Sequence, residues 1–380
     1  MTTWKILGIV ATAVIVLSIP LYTLKTARYD KLVEKGITAA KVEFAGSDTC
    51  KDCHKPEYDK WLLSHHRMAM AEATDETVLG DFDGAEYDHF GVTSRFFRKD
   101  GKFFVHTAGP NGKMEDFEIT HTFGWTPLQQ YLVPFPGGRL QCLPLAWDVK
   151  NKKWYHLYPD RPLAPDDWLY WTNNGQNWNG MCAECHSTDL KKNYDPKTDT
   201  YQTTCSEISV GCEACHGPGS AHVKWAQLPD MARPAVEHDA LIVKTSVLDA
   251  RRQIELCAPC DSRRMSLEDN IHAHADFLDY GIPQLLNEGM YFADGQILDE
   301  VYVYGSFMQS KMYARGVRCS DCHDVHSTKR VKEGNALCLQ CHKAGVYDTK
   351  DHHFHQREGE KGAPIKSETG EILFEVGSGA

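Results

Sequence analysis

The chain has 380 residues, a formal net charge of −11 and an apolar content of 42%, and aromatic residues make up 11% of it. This length predicts two or three lobes rather than one average domain, and the apolar content excludes a largely disordered body. The acidic balance argues against nucleic acid as a partner. It favours a redox partner protein that docks through a basic patch.

The N-terminal segment, residues 1–25, carries a membrane signal. Residues 6–24 are 19 consecutive uncharged residues, close to the roughly 20 that a helix needs to cross a bilayer. A cleaved secretory signal is the alternative, but no convincing cleavage site follows Leu24. We therefore predict a transmembrane helix that anchors the chain.

Five Cys-x-x-Cys-His motifs follow, and each has the spacing that attaches one c-type haem through two thioethers and an adjacent iron-binding His. The motif cysteines are Cys50, Cys53, Cys182, Cys185, Cys212, Cys215, Cys319, Cys322, Cys338 and Cys341. The proximal histidines are His54, His186, His216, His323 and His342. Because c-type haem is attached outside the cytoplasmic membrane in bacteria, we expect an anchored body on the periplasmic side of the inner membrane. If the N-terminus is cleaved, we expect a periplasmic or secreted protein.

The first half of the chain combines a haem segment with a β-rich insert. Residues 47–84 hold the first motif and a predicted helix over residues 56–73. Residues 85–160 contain no motif. Asp-Gly at residues 100–101 and Asn-Gly at residues 111–112 mark hairpin turns between β-prone arms, which predicts an antiparallel module.

The second half alternates motifs and linkers. Residues 161–225 hold motifs two and three, and residues 226–318 are a predicted helical linker. Within this linker, residues 253–267 and 283–290 are the helix candidates. Motifs four and five lie in a segment over residues 319–356, and a charged, Gly-rich tail follows over residues 357–380.

The sixth coordination position of each iron decides its chemistry, because a second His saturates the iron and an open position permits catalysis. Of 19 histidines, five are proximal, which leaves fourteen. The candidates for distal ligands are His222, His326, one of His65 and His66, and one of His352, His353 and His355, with His353 selected from that cluster. For His121, in the β-rich insert, the sequence favours neither a role as a ligand nor a role as an ordinary sheet residue.

Cys257 and Cys260 form a sixth Cys-x-x-Cys pair, in which Asp261 replaces the histidine. Three interpretations remain open: a sixth haem whose iron is open or weakly ligated, a degenerate site without haem, and another metal or a redox disulfide. Cys142 and Cys205 remain, either as a disulfide or as two buried thiols.

Three runs carry a family resemblance: YWTNNGQNWNGMCAECHST (residues 170–188), CEACHGPGSAH (212–222) and GVRCSDCHDVHS (316–327). They resemble a bacterial multi-haem cytochrome c family with doubled Cys-x-x-Cys-His motifs, often with tetratricopeptide tails. This family is related to the tetrahaem electron carrier of hydroxylamine oxidoreductase. The resemblance implies closely stacked, mostly bis-His haems, with His222 and His326 as distal ligands. The chain departs from the family at Asp261, and it stops at Ala380 without the further motif that such members tend to have.

The predicted fold is a multi-haem cytochrome c, mainly α and irregular around stacked haems, with a small inserted antiparallel β module and an N-terminal transmembrane helix. The predicted function is electron transfer between a membrane donor, such as a quinol-linked one, and a redox partner. The alternative is a reductase or oxidase of a small nitrogen or sulfur oxyanion, with an open haem near Cys257, Cys260 and Asp261. The candidate anion clamps there are Arg263, Arg264 and Lys311.

Overall fold

A computed structural model describes residues 42–268 and 275–347 apart from residue 294, with a few isolated positions near the termini. The chain divides into two compact units, Met1–Arg318 and Cys319–Ala380. The predicted anchor and the candidate ligand His353 fall outside the described residues, apart from positions 16, 18 and 19 of the anchor. Within the part of the chain that is described, no helix is both long and apolar enough to cross a membrane.

The helices are short and the strands are numerous. The helices are α1 Ser47–Cys50, α2 Lys55–Leu62, α3 Trp178–Met181, α4 Ala183–His186, α5 Cys212–His216, α6 Ser220–Ala226, α7 Ala250–Asp261, α8 Phe277–Tyr280, α9 Tyr304–Met308, α10 Lys311–Ala314 and α11 Ala344–Tyr347. The strands are β1 Met70–Glu72, β2 Glu86–His89, β3 Val92–Lys99, β4 Lys102–Ala108, β5 Met114–Ile119, β6 His121–Phe123, β7 Leu128–Phe135, β8 Arg139–Cys142, β9 Leu145–Asp148, β10 Lys153–His156, β11 Tyr194–Asp195, β12 Thr200–Tyr201, β13 Arg264–Ser266, β14 Gly281–Pro283, β15 Ile365–Lys366 and β16 Ile372–Phe374.

Two antiparallel sheets dominate the first unit. A six-stranded sheet has the order β1-β6-β7-β9-β10, with β8 also paired to β7, and a four-stranded sheet has the order β2-β3-β4-β5. The antiparallel strands that the sequence predicts are present, and they form a larger part of the fold than the small module expected. Strand β1 comes from the first haem segment, so the six-stranded sheet connects that segment to the insert.

The turn between β3 and β4 shows why the hairpin signal is reliable. Asp100 and Gly101 take φ values of 51° and 75°, and Lys99 pairs with Lys102 across the turn. Two consecutive positive φ angles match the twist of the flanking strands, and Asp-Gly tolerates them at low cost. The local sequence therefore specifies both the turn and the register of these strands.

Aromatic residues fill the core between the two sheets. The Phe96 and Trp154 rings stack with centroids 3.5 Å apart, and Phe82 meets both rings edge-on. Tyr131 is fully buried beside them, and its hydroxyl accepts a hydrogen bond from the Gly80 N–H at 2.9 Å. Each such aromatic pair contributes about 0.5–1.5 kcal/mol beyond its buried area, so this cluster stabilises the module independently of any haem motif.

Three helix predictions are wrong in their extent or existence. The helix predicted over residues 56–73 ends at Leu62, because residues Met70–Glu72 pair with β6 instead. The first linker helix runs over Ala250–Asp261 rather than to residue 267. Residues 283–290 form no helix, since Pro283 pairs with Arg264 across the β13–β14 ladder. In each case a long-range β pairing overrides local helical periodicity.

Candidate haem sites

Each of the five motifs forms a tight helical turn. The His54 N–H donates to the Cys50 carbonyl at 2.9 Å, and the same bond recurs from His323 to Cys319 at 2.9 Å and from His342 to Cys338 at 3.0 Å. Motifs two and three form their turns in α4 and α5. A helical turn places residues three and four apart on one face. Both thiols and the imidazole of a motif therefore share one side, as attachment to a single haem requires.

The first and third motifs contact each other, although 158 residues lie between Cys53 and Cys212 in the sequence. The Cys50 thiol donates a hydrogen bond to the Cys212 sulfur; this bond lowers the pKa of Cys212 to about 7 and raises the pKa of Cys50. These thiols stand for the thioether sulfurs of the mature protein. Because the two sulfurs touch, the haems that they attach must be neighbours.

Glu213, inside the third motif, binds the backbone of the segment that leads into the first motif. Its carboxylate accepts backbone N–H groups of Ala45 at 2.8 Å, Gly46 at 2.8 Å and Gly219 at 2.6 Å. Ser47 adds a further link, because its hydroxyl accepts the Cys212 N–H at 2.9 Å and donates to Glu207 at 2.8 Å. Burial raises the pKa of Glu207. The motif spacing alone does not point to these residues; the available signal was a charged residue at an x position of the third motif.

His222 lies opposite the proximal histidine of the first motif. The two ring centroids are 6.1 Å apart with an interplanar angle of 32°. The Nδ1 atom of His222 is 2.8 Å from the Asp239 carbonyl oxygen, which leaves Nε2 as the ring nitrogen available to a metal. The structure thus brings together a proximal and a candidate distal ligand that lie far apart in sequence.

The second motif lies against the six-stranded sheet. The Nδ1 atom of His186 is 3.2 Å from the Ala69 carbonyl oxygen, and the Phe123 ring lies 4.3 Å from the His186 ring. Burial lowers the pKa of His186, which favours the neutral imidazole that binds a metal. His121 shares the face of β6 with Phe123, since the two are two residues apart on one strand. Burial also lowers the pKa of His121.

The two histidines that follow α2 differ in their surroundings. His65 is exposed, whereas His66 is half-buried. The His66 carbonyl accepts the Val210 N–H at 3.2 Å, and Val210 lies two residues before Cys212. The structure therefore places His66 beside the third motif.

The second unit contains motifs four and five within a short segment. Residues 322–331 fold back on themselves, since the Val331 N–H donates to the Cys322 carbonyl at 2.9 Å. His326 is half-buried in this loop. Cys338 and Cys341 contribute to the raised pKa of Cys322, behind burial and Asp321, so the two motifs lie near each other.

Cys257 and Cys260 lie on the last turn of α7, three residues apart as in the five motifs. Cys142 and Cys205 are both free cysteines, so they form no disulfide with each other. Within the described residues, no group of three or more His, Cys, Asp or Glu side chains is arranged to hold a bare metal ion.

The residues around the second motif fit a haem. Cys182 immediately precedes α4, and the buried indole N–H of Trp178, four residues earlier, has no hydrogen-bond acceptor in the described part of the protein. Buried donors are nearly always paired. A haem carboxylate would satisfy this donor, and the two thiols and the imidazole supply the attachment chemistry.

Comparisons with known proteins agree with this donor set. The family model described as "Doubled CXXCH motif" matches residues 311–346, and the one described as "Cytochrome c554 and c-prime" matches residues 49–86 and 170–217. The cofactor of this chain is haem c. Together the matches support a multihaem c-type cytochrome.

Two solved structures align with this chain. The outer cell wall cytochrome OcwA aligns with a TM-score of 0.54 and 17% identity, over 80% of this chain and 68% of that one. The undecahaem cytochrome from the S-layer of Carboxydothermus ferrireducens aligns with a TM-score of 0.40 and 17% identity, over 80% of this chain and 43% of that one. No curated protein matches the sequence. At this identity the likeness to OcwA concerns the fold.

Proposed function

We propose that this chain is an extracytoplasmic electron-transfer cytochrome that passes electrons between a membrane donor and a redox partner. The observation that carries the proposal is the contact between the first and third motifs, in which the Ser47 hydroxyl accepts the Cys212 N–H at 2.9 Å and the Glu213 carboxylate accepts the N–H groups of Ala45 and Gly46. Haem supplies reversible one-electron chemistry at iron. The role of the polypeptide is to hold the haems as neighbours and to saturate their irons with imidazole.

The histidine pair His54 and His222 supports saturation of the first haem. Metal–imidazole bonds are about 2.0 Å long, so two rings on opposite sides of one metal have centroids roughly 6 Å apart. The observed separation is 6.1 Å. We therefore assign His222 as the distal ligand of the haem attached at Cys50 and Cys53.

The remaining distal ligands are assigned by proximity. His66, rather than the exposed His65, lies beside the third motif, and His121 shares a strand face with the residue that contacts His186. In the second unit His326 follows the fourth motif closely, and His353 remains the candidate for the fifth. These assignments extend the bis-His pattern along the chain.

The charge and the N-terminal sequence support the location and the kind of partner. The formal net charge of −11 favours a soluble acceptor with a basic docking patch. The uncharged residues 6–24 support attachment to the inner membrane, which would place the body in the periplasm next to a quinol-linked donor.

The oxyanion-enzyme alternative loses one of its three candidate anion clamps. Arg264 is almost fully buried and lies 3.3 Å from the Glu184 carboxylate, and it also donates to Ser266. A guanidinium already paired in this way is not available to a substrate anion. Arg263 donates to the Glu300 carbonyl at 3.1 Å. The local contacts therefore favour the carrier.

Stopped-flow oxidation of the reduced protein tests the proposal. We expect fast oxidation by a basic soluble cytochrome, slowing several-fold as salt screens the charges, and no turnover of nitrite or sulfite. Replacing His222 by Ala should convert one low-spin haem to a high-spin form and slow electron passage. His106→Ala is the matched control, because His106 pairs with Asp116 at the surface.

Sustained catalytic reduction of nitrite or sulfite would contradict the carrier and favour the enzyme. An unchanged low-spin count in His222→Ala, measured by electron paramagnetic resonance, would contradict the ligand assignment while leaving electron transfer to be judged by the kinetics.

A further inference from the structure

The end of α7 packs against the second haem motif. The Cys260 thiol donates a hydrogen bond to the Cys185 sulfur, and the Pro259 carbonyl oxygen lies 3.7 Å from the same sulfur. Helices α4 and α7 are in direct contact. A pair of cysteines at motif spacing is therefore held against the attachment sulfur of an adjacent haem site.

The same arrangement occurs between the first and third motifs, both of which have a complete haem attachment signature. There, α1 contacts α5, and the attachment sulfurs Cys50 and Cys212 are hydrogen-bonded to each other. In both places one sulfur from each Cys-x-x-Cys pair touches one sulfur of the other. Cys257 and Cys260 therefore lie against a haem motif in the same way as one complete motif lies against another.

A second parallel concerns the glutamate inside one motif of each pair. Glu213 of the third motif binds the backbone of Ala45 and Gly46, just before the first motif. Glu184 of the second motif binds Arg264 at 3.3 Å and the Ser266 hydroxyl at 2.5 Å, just after the Cys257–Cys260 pair. In each pair a motif carboxylate fixes the flank of the partner segment.

We propose that Cys257 and Cys260 attach a sixth haem, paired with the haem of Cys182 and Cys185 as the first is paired with the third. Each thiol adds across one vinyl double bond: its sulfur bonds to one vinyl carbon and its hydrogen moves to the other, so no oxidant or reductant is consumed. This inference rests on the haem pairing of the proposed function and extends it to a site without the motif histidine.

The contacts argue against a disulfide and against a zinc site at this pair. A disulfide needs the Cys260 sulfur to bond to Cys257, yet the side-chain hydrogen bond of Cys260 is to Cys185. A zinc site needs at least three protein ligands, and no group of three or more His, Cys, Asp or Glu side chains is arranged to hold a metal ion among the described residues.

The sixth haem differs from the other five in having Asp261 where they have a proximal imidazole. A carboxylate is a weaker ligand for haem iron than a neutral imidazole, so this haem is the one that should respond to exogenous ligands. We expect carbon monoxide to shift the spectrum of one haem in the reduced protein. Asp261→His should abolish this shift without altering the haem count.

Haem quantitation on the full chain tests the proposal directly. The pyridine haemochrome assay and the intact mass should give six haems in the wild type and five in the Cys257→Ser/Cys260→Ser double variant. Cys205→Ser is the matched control, because Cys205 lies outside every motif and should leave six. A proteolytic peptide spanning residues 257–260 should carry the mass of one haem.

Five haems in the wild type, with residues 257–260 recovered as an unmodified or disulfide-bonded peptide, would overturn the proposal. So would a double variant that keeps the haem count of the wild type. The mass of that peptide decides the question even if the double variant fails to fold. Neither result affects the proposed function, which is tested separately by the oxidation kinetics and by turnover of nitrite or sulfite.

Discussion

At the scale of single residues, glutamates inside haem motifs organise the neighbouring segments. Glu213 is buried and accepts three backbone N–H groups, from Ala45, Gly46 and Gly219. Hydrogen bonds to a charged acceptor are stronger than those between neutral groups. Removing the acceptor also leaves buried donors unpaired. Glu213 should therefore stabilise the contact between the first and third motifs.

Glu213→Gln tests this role. The amide keeps one acceptor oxygen but presents an NH₂ group to donors that need an acceptor, so we expect a loss of about 2–4 kcal/mol in the free energy of unfolding. Urea unfolding followed by circular dichroism and by haem absorbance measures it. The spectral and redox signature of the first haem should change too, because its attachment segment loses two anchors.

Glu237→Gln is the matched control, since its side chain is 89% exposed and the change should stay within about 0.5 kcal/mol. If the two variants unfold at the same urea concentration, Glu213 does not hold the motifs together.

At the scale of elements, the turn between β7 and β8 is fitted closely to the hairpin β11–β12, which lies between the second and third motifs. Gly138 has a φ of 72°, and a Cβ added there would overlap the Tyr201 carbonyl oxygen. Arg139 continues the contact, because its Nη1 donates to the Asp199 carbonyl at 2.7 Å. The sheet thereby supports the chain between two haem segments.

Gly138→Ala should cost on the order of 3 kcal/mol, from a left-handed backbone and a steric overlap together. Gly91→Ala isolates the backbone part: Gly91 has a φ of 83° and nothing within 4 Å of an added Cβ, so it should cost about 1 kcal/mol. Thermal unfolding of both variants gives the comparison. Equal losses would show that the Tyr201 contact imposes no steric cost.

The elements also show how far local sequence reaches. The Asp100-Gly101 hairpin is as predicted, because a two-residue turn depends on backbone preferences of its own residues. The stretch after Leu62 has helical periodicity, but Met70 pairs with Phe123 in a sheet. Phe123 is 53 residues away from Met70, and no local pattern predicts a pairing over that distance.

At the scale of the whole molecule, the apolar core is distributed unevenly. The largest cluster of buried residues, which includes Phe96, Tyr131 and Trp154, contains no motif cysteine. By contrast, no residue over 319–347 is buried. A segment this short that lacks a core needs covalent or cofactor support to fold. We infer that haem faces provide the missing apolar contacts for motifs four and five.

Hydrogen exchange on protein produced without haem attachment tests this inference. We expect amides of β3, β4 and β7 to stay protected, because their core is polypeptide alone, and amides over residues 319–347 to exchange at nearly the unfolded rate. The mature protein is the reference and should protect both regions. Protection of residues 319–347 in the haem-free protein would contradict a haem-dependent fold there.

The sequence by itself determined the attachment chemistry, the cofactor and the hairpins. These depend on spacings of two to four residues, so the chain carries them locally. Each Cys-x-x-Cys-His run closes its own helical turn through bonds such as the one from His54 to Cys50.

Only the tertiary structure decided which motifs are neighbours. Three contacts show this: Cys50 with Cys212, His54 with His222, and Cys185 with Cys260. The two residues of each contact lie between 75 and 168 positions apart in the sequence. Such contacts depend on how helices and sheets pack, which spacing within a motif does not encode. The proposed pairing of haems, and the proposed role of Cys257 and Cys260, therefore depend on packing rather than on motif spacing.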